Sequence, residues 1–201
     1  MTSVPTVECE GWTQTDSWSR TVFRSLFVTV EAFSNIYDRP ECVAFLESRL
    51  PSEINQSPRF VFTTKLSFRP SLPSNKAVET FRSVVAQRAG RGFGSSLEDD
   101  GFLDVERVGS RPLSLPGDRT ATAFQYEAAY PLTDDGTLPV SIWMALWPTE
   151  GTFAMCGGCY PTGSLTGLSA AVDELPTALR LSPEQARTEL FDCMASAVLQ
   201  S

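Results

Sequence analysis

A chain of 201 residues with 42% hydrophobic and 10% aromatic side chains carries enough apolar surface for one substantial core. Its prolines and glycines are too evenly spread to mark a linker, a repeat or a low-complexity tract. The 24 acidic against 16 basic residues leave a net charge of −8, a surface that repels phosphate backbones and argues against sequence-independent nucleic-acid binding. Histidine is absent, which removes Ser-His-Asp triads, Cys-His dyads, His-ligated zinc and an imidazole switch near neutral pH.

The first seventeen residues are polar, with Glu8, Glu10, Thr13, Gln14, Thr15 and Asp16, and are expected to form a polar arm or a short edge element (1–17) ahead of a single α+β domain (18–201). No basic leader precedes an apolar stretch, and no run approaches eighteen apolar residues, so the expected location is the cytosol, with no membrane span. Val22 to Glu31 is rich in β-branched and aromatic residues and predicts a buried strand, with a second over Ala32–Tyr37. Pro40 at a first helical position, followed by Val43, Ala44, Leu46 and Leu50, predicts a short helix. Phe60, Phe62, Thr64, Leu66 and Phe68 alternate with Val61, Thr63, Lys65 and Ser67, the pattern of a strand packed on one side.

From Asn75 to Asp100 the period changes. Val78, Phe81, Val85, Ala89, Phe93 and Leu97 recur at helical spacing, predicting one long helix capped near Ser74 and ended at Gly101, with Gly90, Gly92 and Gly94 inviting a kink or a tight packing contact. Strands follow over 103–108, 120–131, 140–147 and 152–160. Between them lie the turn signals Pro116-Gly117-Asp118-Arg119, Asp134-Asp135-Gly136 and Pro148-Thr149-Glu150-Gly151, so this part of the sheet must be antiparallel. Ser182-Pro183-Glu184-Gln185 reads as a capping box opening a C-terminal helix with Ala186, Leu190, Met194, Ala197 and Val198 on one stripe. The expected fold class is α+β: a mainly antiparallel sheet covered by the long central helix and the C-terminal helix.

Cys156-Gly157-Gly158-Cys159 is the one spacing that carries chemistry by itself. Two thiols at that distance can form a redox dithiol or supply two zinc ligands, Cys156 and Cys159, the rest drawn from Cys9, Cys42 and Cys193. Against this, the pair lies on a strand with no helix behind it. In a regular strand positions 156 and 159 point to opposite faces, which leaves them as small buried residues. Gly90-Arg91-Gly92-Phe93-Gly94 lies inside a helical pattern and lacks the strand-loop-helix setting of a nucleotide loop. Asp99-Asp100 and Asp134-Asp135 sit at a helix end and in a turn, where aspartate serves local hydrogen bonds. Trp143, Trp147, Tyr126 and Tyr160 belong to the densest aromatic region and are the candidate binding residues, with cross-strand core packing as the alternative.

The runs Arg59–Pro70, Trp143-Met144-Ala145-Leu146-Trp147 and Gly157-Gly158-Cys159-Tyr160-Pro161-Thr162 resemble a group of uncharacterised proteins from halophilic archaea. The acidic balance, with Lys65 and Lys76 the only lysines, fits solubility at high salt. The element order resembles the PsbP-like sandwich, whose members mostly bind other proteins. The resemblance implies no catalytic residue and no cofactor. Together these readings predict a non-catalytic accessory or protein-binding domain whose partner is another protein. A thiol-redox or zinc protein built on Cys156 and Cys159, and a small-ligand carrier with a pocket between the long helix and the aromatic strands, are the alternatives.

Overall fold

The computed structural model describes residues 4–46, 57–116, 119–132, 136–163 and 177–197. Seven strands, β1 (Thr13–Arg24), β2 (Thr29–Asp38), β3 (Phe60–Arg69), β4 (Leu103–Leu115), β5 (Arg119–Pro131), β6 (Thr137–Thr149) and β7 (Thr152–Pro161), form one sheet in the order β1-β2-β3-β7-β6-β5-β4. All neighbouring strands are antiparallel. The helices α1 (Pro40–Leu46), α2 (Asn75–Asp99) and α3 (Pro183–Ser196) complete an α+β fold. Two meanders, β1-β2-β3 and β4-β5-β6-β7, meet where β3 pairs with β7, and α2 carries the chain from β3 to the far edge at β4.

Local signals set the helix bounds. Ser74 caps α2 by accepting a hydrogen bond from the Ala77 N–H at 3.3 Å. After the C-cap at Asp100, Gly101 takes φ 95°, a left-handed conformation glycine adopts without strain. In α3 the Ser182 hydroxyl accepts from the Gln185 N–H while the Gln185 side chain accepts from the Ser182 N–H, a complete capping box.

The two-residue period of the strands sorts side chains into two cores. On one face Phe60, Phe62, Leu66, Phe124, Tyr126, Ile142, Met144 and Phe153 pack under Val78, Ala86 and Leu97 of α2. On the other, Val61, Ala123, Trp143, Ala145, Trp147, Ala154 and Tyr160 pack under Ala186, Leu190, Cys193 and Met194 of α3. Central β6 and β7, covered on both sides, are apolar almost throughout, as strands buried on both faces must be.

The chain departs from its sequence reading near the start. The strand expected over 22–31 is two strands joined by a turn at Ser25–Val28. The segment read as an arm or a short edge element enters the sheet at Thr13 as edge strand β1. The remainder of that arm is held down: the Thr63 hydroxyl donates to the Pro5 carbonyl, and Cys9 is disulfide-bonded to Cys193 of α3 with 5.6 Å between Cα atoms. The helix α2 runs as one element through its glycines. Gly90 and Gly94 let it settle on Tyr126, whose hydroxyl donates to the Gly90 carbonyl. The Asp134-Asp135 turn signal and the stretch from 164 to 176 lie outside the described residues. No described helix is long and apolar enough to cross a membrane.

Candidate functional site

The sheet divides the residues singled out in the sequence. Cys156 belongs to the core beneath α3 and Cys159 to the core beneath α2. Both are fully buried, and the structure does not bring the two sulfurs together. Burial pushes the Cys156 thiol up to about 12, tempered slightly by Arg119. Burial likewise holds Cys159 well above its ordinary 9.0. The thiolate is the nucleophile and the metal ligand, and burial disfavours it at both positions. Cys42 is buried too, and burial with the nearby Glu41 carboxylate raises it to about 12. Among the described residues no group of three or more Cys, Asp or Glu side chains is placed to hold a metal ion.

The intervening glycines have a packing role. A Cβ on Gly157 would lie 2.7 Å from Phe62 Cε1 on the α2 side, and one on Gly158 would lie 2.6 Å from Leu190 Cδ1 on the α3 side. Real Cβ atoms do not approach so closely, so Cys-Gly-Gly-Cys is the composition of a central strand squeezed between two layers.

Tyr126 also lies on the α2 side, where Phe62, Phe93 and Tyr126 stack with centroids 5.2 and 5.5 Å apart. Beside Gly90, Arg91 and Arg107 lies a shallow cleft of about 200 Å³, smaller than the few hundred Å³ usual for small-molecule pockets. On the α3 side Trp147 and Tyr160 are buried in the core, with the Arg119 guanidinium over the Trp147 ring at 6.0 Å.

Trp143 differs because charge gathers over it. In register, Gln125 of β5 sits between Trp143 of β6 and Gly109 of the edge strand β4. Gly109 leaves the ring open on that side, and Arg111, two residues along β4 on the same face, reaches it. The Arg111 guanidinium lies 4.7 Å from the Trp143 centroid and 5.2 Å from that of Phe191. Arg187, one helical turn before Phe191 on α3, lies 5.9 and 5.6 Å from the same two rings. The rings themselves meet edge to face at 5.1 Å. Among the described residues no carboxylate lies within ion-pair distance of Arg111 or Arg187. The Trp143 indole N–H is buried and has no acceptor among the described residues. Two guanidinium groups thus offer donors at one place, held near the two rings by cation–π attraction.

The other cationic centre is already saturated. A cleft of about 550 Å³ between the N-terminal segment and α3 is lined by Glu8, Glu10, Trp12, Arg39, Glu189 and Asp192. Its floor is the Glu189 carboxylate, which accepts from Trp12 Nε1 at 3.0 Å, from Arg39 Nε at 3.1 Å, and from Arg39 Nη2 and Arg59 Nη2. Arg59, 1% exposed, also donates to the Ala178 carbonyl. Burial pushes the Glu189 carboxyl up, but Arg39, Arg59 and Trp12 together bring it below its ordinary value. The rim adds more carboxylates, so this cleft ties Arg39, Arg59 and the N-terminal segment to α3 and keeps no spare positive charge for an anionic ligand.

Sequence reasoning selected Trp143 but missed Arg111, Phe191 and Arg187, which meet it only through strand register and the docking of α3. No curated protein and no solved structure matches the chain. A family model described as Domain of unknown function (DUF6517) matches residues 2–198, and the chain belongs to that family.

Proposed function

We propose that the chain is a non-catalytic binding module that takes an acidic segment of a partner protein on the Arg111–Trp143–Arg187–Phe191 cluster. The observation that carries this reading is the pair of guanidinium groups beside aromatic rings with no carboxylate partner among the described residues, in a chain whose net charge is −8. In such a chain free carboxylates are abundant, and leaving these two arginines unpaired keeps them available to an outside anion. Tryptophan and arginine are the side chains that most often dominate protein interfaces, and stacking lowers the entropy lost when a guanidinium is captured. The thiol-redox and zinc readings lose support because their two sulfurs are buried on opposite faces.

The disulfide bears on location. A bond such as Cys9–Cys193 persists in oxidising surroundings and is rare in the cytosol. We therefore favour an oxidising compartment over the cytosol expected from the sequence.

The test is a titration of isotope-labelled protein with a synthetic peptide of alternating glutamate and phenylalanine, followed through the indole N–H resonance of Trp143. Saturable shifts at Trp143 are expected, weakening as salt rises from about 0.1 to about 1 M, with affinity reduced at least about tenfold in R111Q/R187Q. Binding that leaves Trp143 unmoved, or that survives loss of both arginines, would defeat the proposal.

A further inference from the structure

The β1–β2 hairpin ends in a turn built to hold two apolar side chains in open water. The Ser25 N–H donates to the Val28 carbonyl at 2.8 Å, and the Ser25 hydroxyl oxygen accepts from the N–H groups of Phe27 and Val28 at 3.3 and 3.1 Å. The central positions of hairpin turns ordinarily carry Asn, Asp or Gly. Here they are Leu26 and Phe27, 95% and 82% exposed. Phe23 and Val22, at the end of β1, continue the apolar surface with exposures of 36% and 46%.

Cations flank this tip on both faces of the sheet. Arg24 pairs in register with Thr29, and Thr29 with Arg69, so the two arginines share one face in a single row directly behind the turn. Arg69 is 70% exposed and meets Glu31 at 2.9 Å. Arg24 has no ion-pair partner among the described residues. On the opposite face the Arg88 guanidinium of α2 lies 5.0 Å from the Phe23 ring. Three arginines and one carboxylate therefore surround the tip of a chain that is acidic as a whole.

We infer that this hairpin tip is a membrane-contact element, Leu26 and Phe27 entering the headgroup region of an anionic bilayer while Arg24, Arg69 and Arg88 meet its lipid phosphates. The occupant follows from shape and charge. The apolar pair stands at the end of a hairpin, where Leu26 and Phe27 are 95% and 82% exposed. Cations on both faces can all be engaged together by a planar anionic surface, whereas a second copy meeting this one tip to tip would bring the same positive charge against them. Apolar tips with basic flanks bind by combining shallow burial with electrostatic attraction to anionic lipid. The overall negative charge opposes approach, so binding is local and fades as salt rises.

The experiment uses the full chain and sucrose-loaded vesicles, one set of phosphatidylcholine and one of equal parts phosphatidylcholine and phosphatidylglycerol, at low salt. The protein is expected to sediment with the anionic vesicles and to stay in solution with the neutral ones. L26N/F27G, which installs ordinary hairpin-turn residues and keeps the strands, should lower the bound fraction at least about tenfold. F27W, a variant that leaves the tip apolar, should show a blue-shifted tryptophan emission with anionic vesicles alone. Equal sedimentation of L26N/F27G and the unaltered chain, no sedimentation of the unaltered chain, or an unshifted F27W spectrum would each overturn the inference. So would a vesicle-free dimer that L26N/F27G converts to monomer, which would assign the tip to a second copy.

Discussion

Gly158 and Leu190 meet so closely that a methyl group on the glycine would lie 2.6 Å from the leucine Cδ1. On its other side the same methyl would press on the Phe60 backbone carbonyl, which cannot swing away as a side chain can. G158A should therefore lower stability by about 3 kcal/mol, while C156A and C159A, which only empty the volume of a sulfur, should cost about 1 kcal/mol each. Urea denaturation of the three variants checks the ranking. A cysteine variant more damaging than the glycine variant would point to a chemical role for the thiols.

Alkylation probes the same strand differently. Burial keeps Cys156 near 12 and Cys159 well above its ordinary range, so at pH 8 almost no thiolate exists in the folded chain. Iodoacetamide should leave Cys42, Cys156 and Cys159 unmodified under native conditions and label all three in guanidinium chloride, as read by mass spectrometry.

Glu189 gives a pH dependence of definite sign. Its burial opposes ionisation, but Arg39, Arg59 and the Trp12 indole more than offset this, leaving the folded carboxyl below its ordinary 4.5. A carboxylate depressed on folding supplies stability above the unfolded value and loses it as pH falls through the folded one. Stability should therefore decline as pH drops below about 4.5. E189Q should flatten that decline and lose about 3 kcal/mol at neutral pH, because it leaves Arg59 buried beside a neutral partner. Urea midpoints measured between pH 7 and pH 3 decide this, and a steep acid limb unchanged in E189Q would refute it.

Asp38 is arranged with the opposite sign. It is buried, its Oδ2 accepts from the Thr15 hydroxyl at 2.6 Å and its Oδ1 has no partner. Burial raises its pKa above the ordinary 3.8, and Thr15 only partly reverses this. Ionising Asp38 thus weakens the fold as pH rises past 3.8. D38N should raise stability at neutral pH by about 1 kcal/mol, seen as a melting temperature higher by about 2–4 °C. The gain should vanish at pH 3, where the wild-type carboxyl is already protonated.

The helices and the second meander were legible because their signals are local. Ser74, Gly101 and the Ser182–Gln185 capping box mark helix ends through contacts a few residues apart, β3 and β5 carry their alternation in the chain itself, and turn signals bound β6 and β7. The start of β1 was hidden for a physical reason. As an edge strand exposed along nearly all its length it has no buried face to pattern, and its turn carries Leu26 and Phe27 instead of turn residues. The two-face placement of Cys156 and Cys159 could be read from strand periodicity alone. The Arg111–Trp143–Arg187–Phe191 cluster and the Cys9–Cys193 bond could not, since each joins segments that meet only after the sheet has registered and α3 has docked.

The Cys9–Cys193 bond joins positions 184 residues apart, closing almost the whole polypeptide into a covalent ring. A single proteolytic cut at the β6–β7 connection would open that ring without releasing a fragment, and the product would run as one species until reduced.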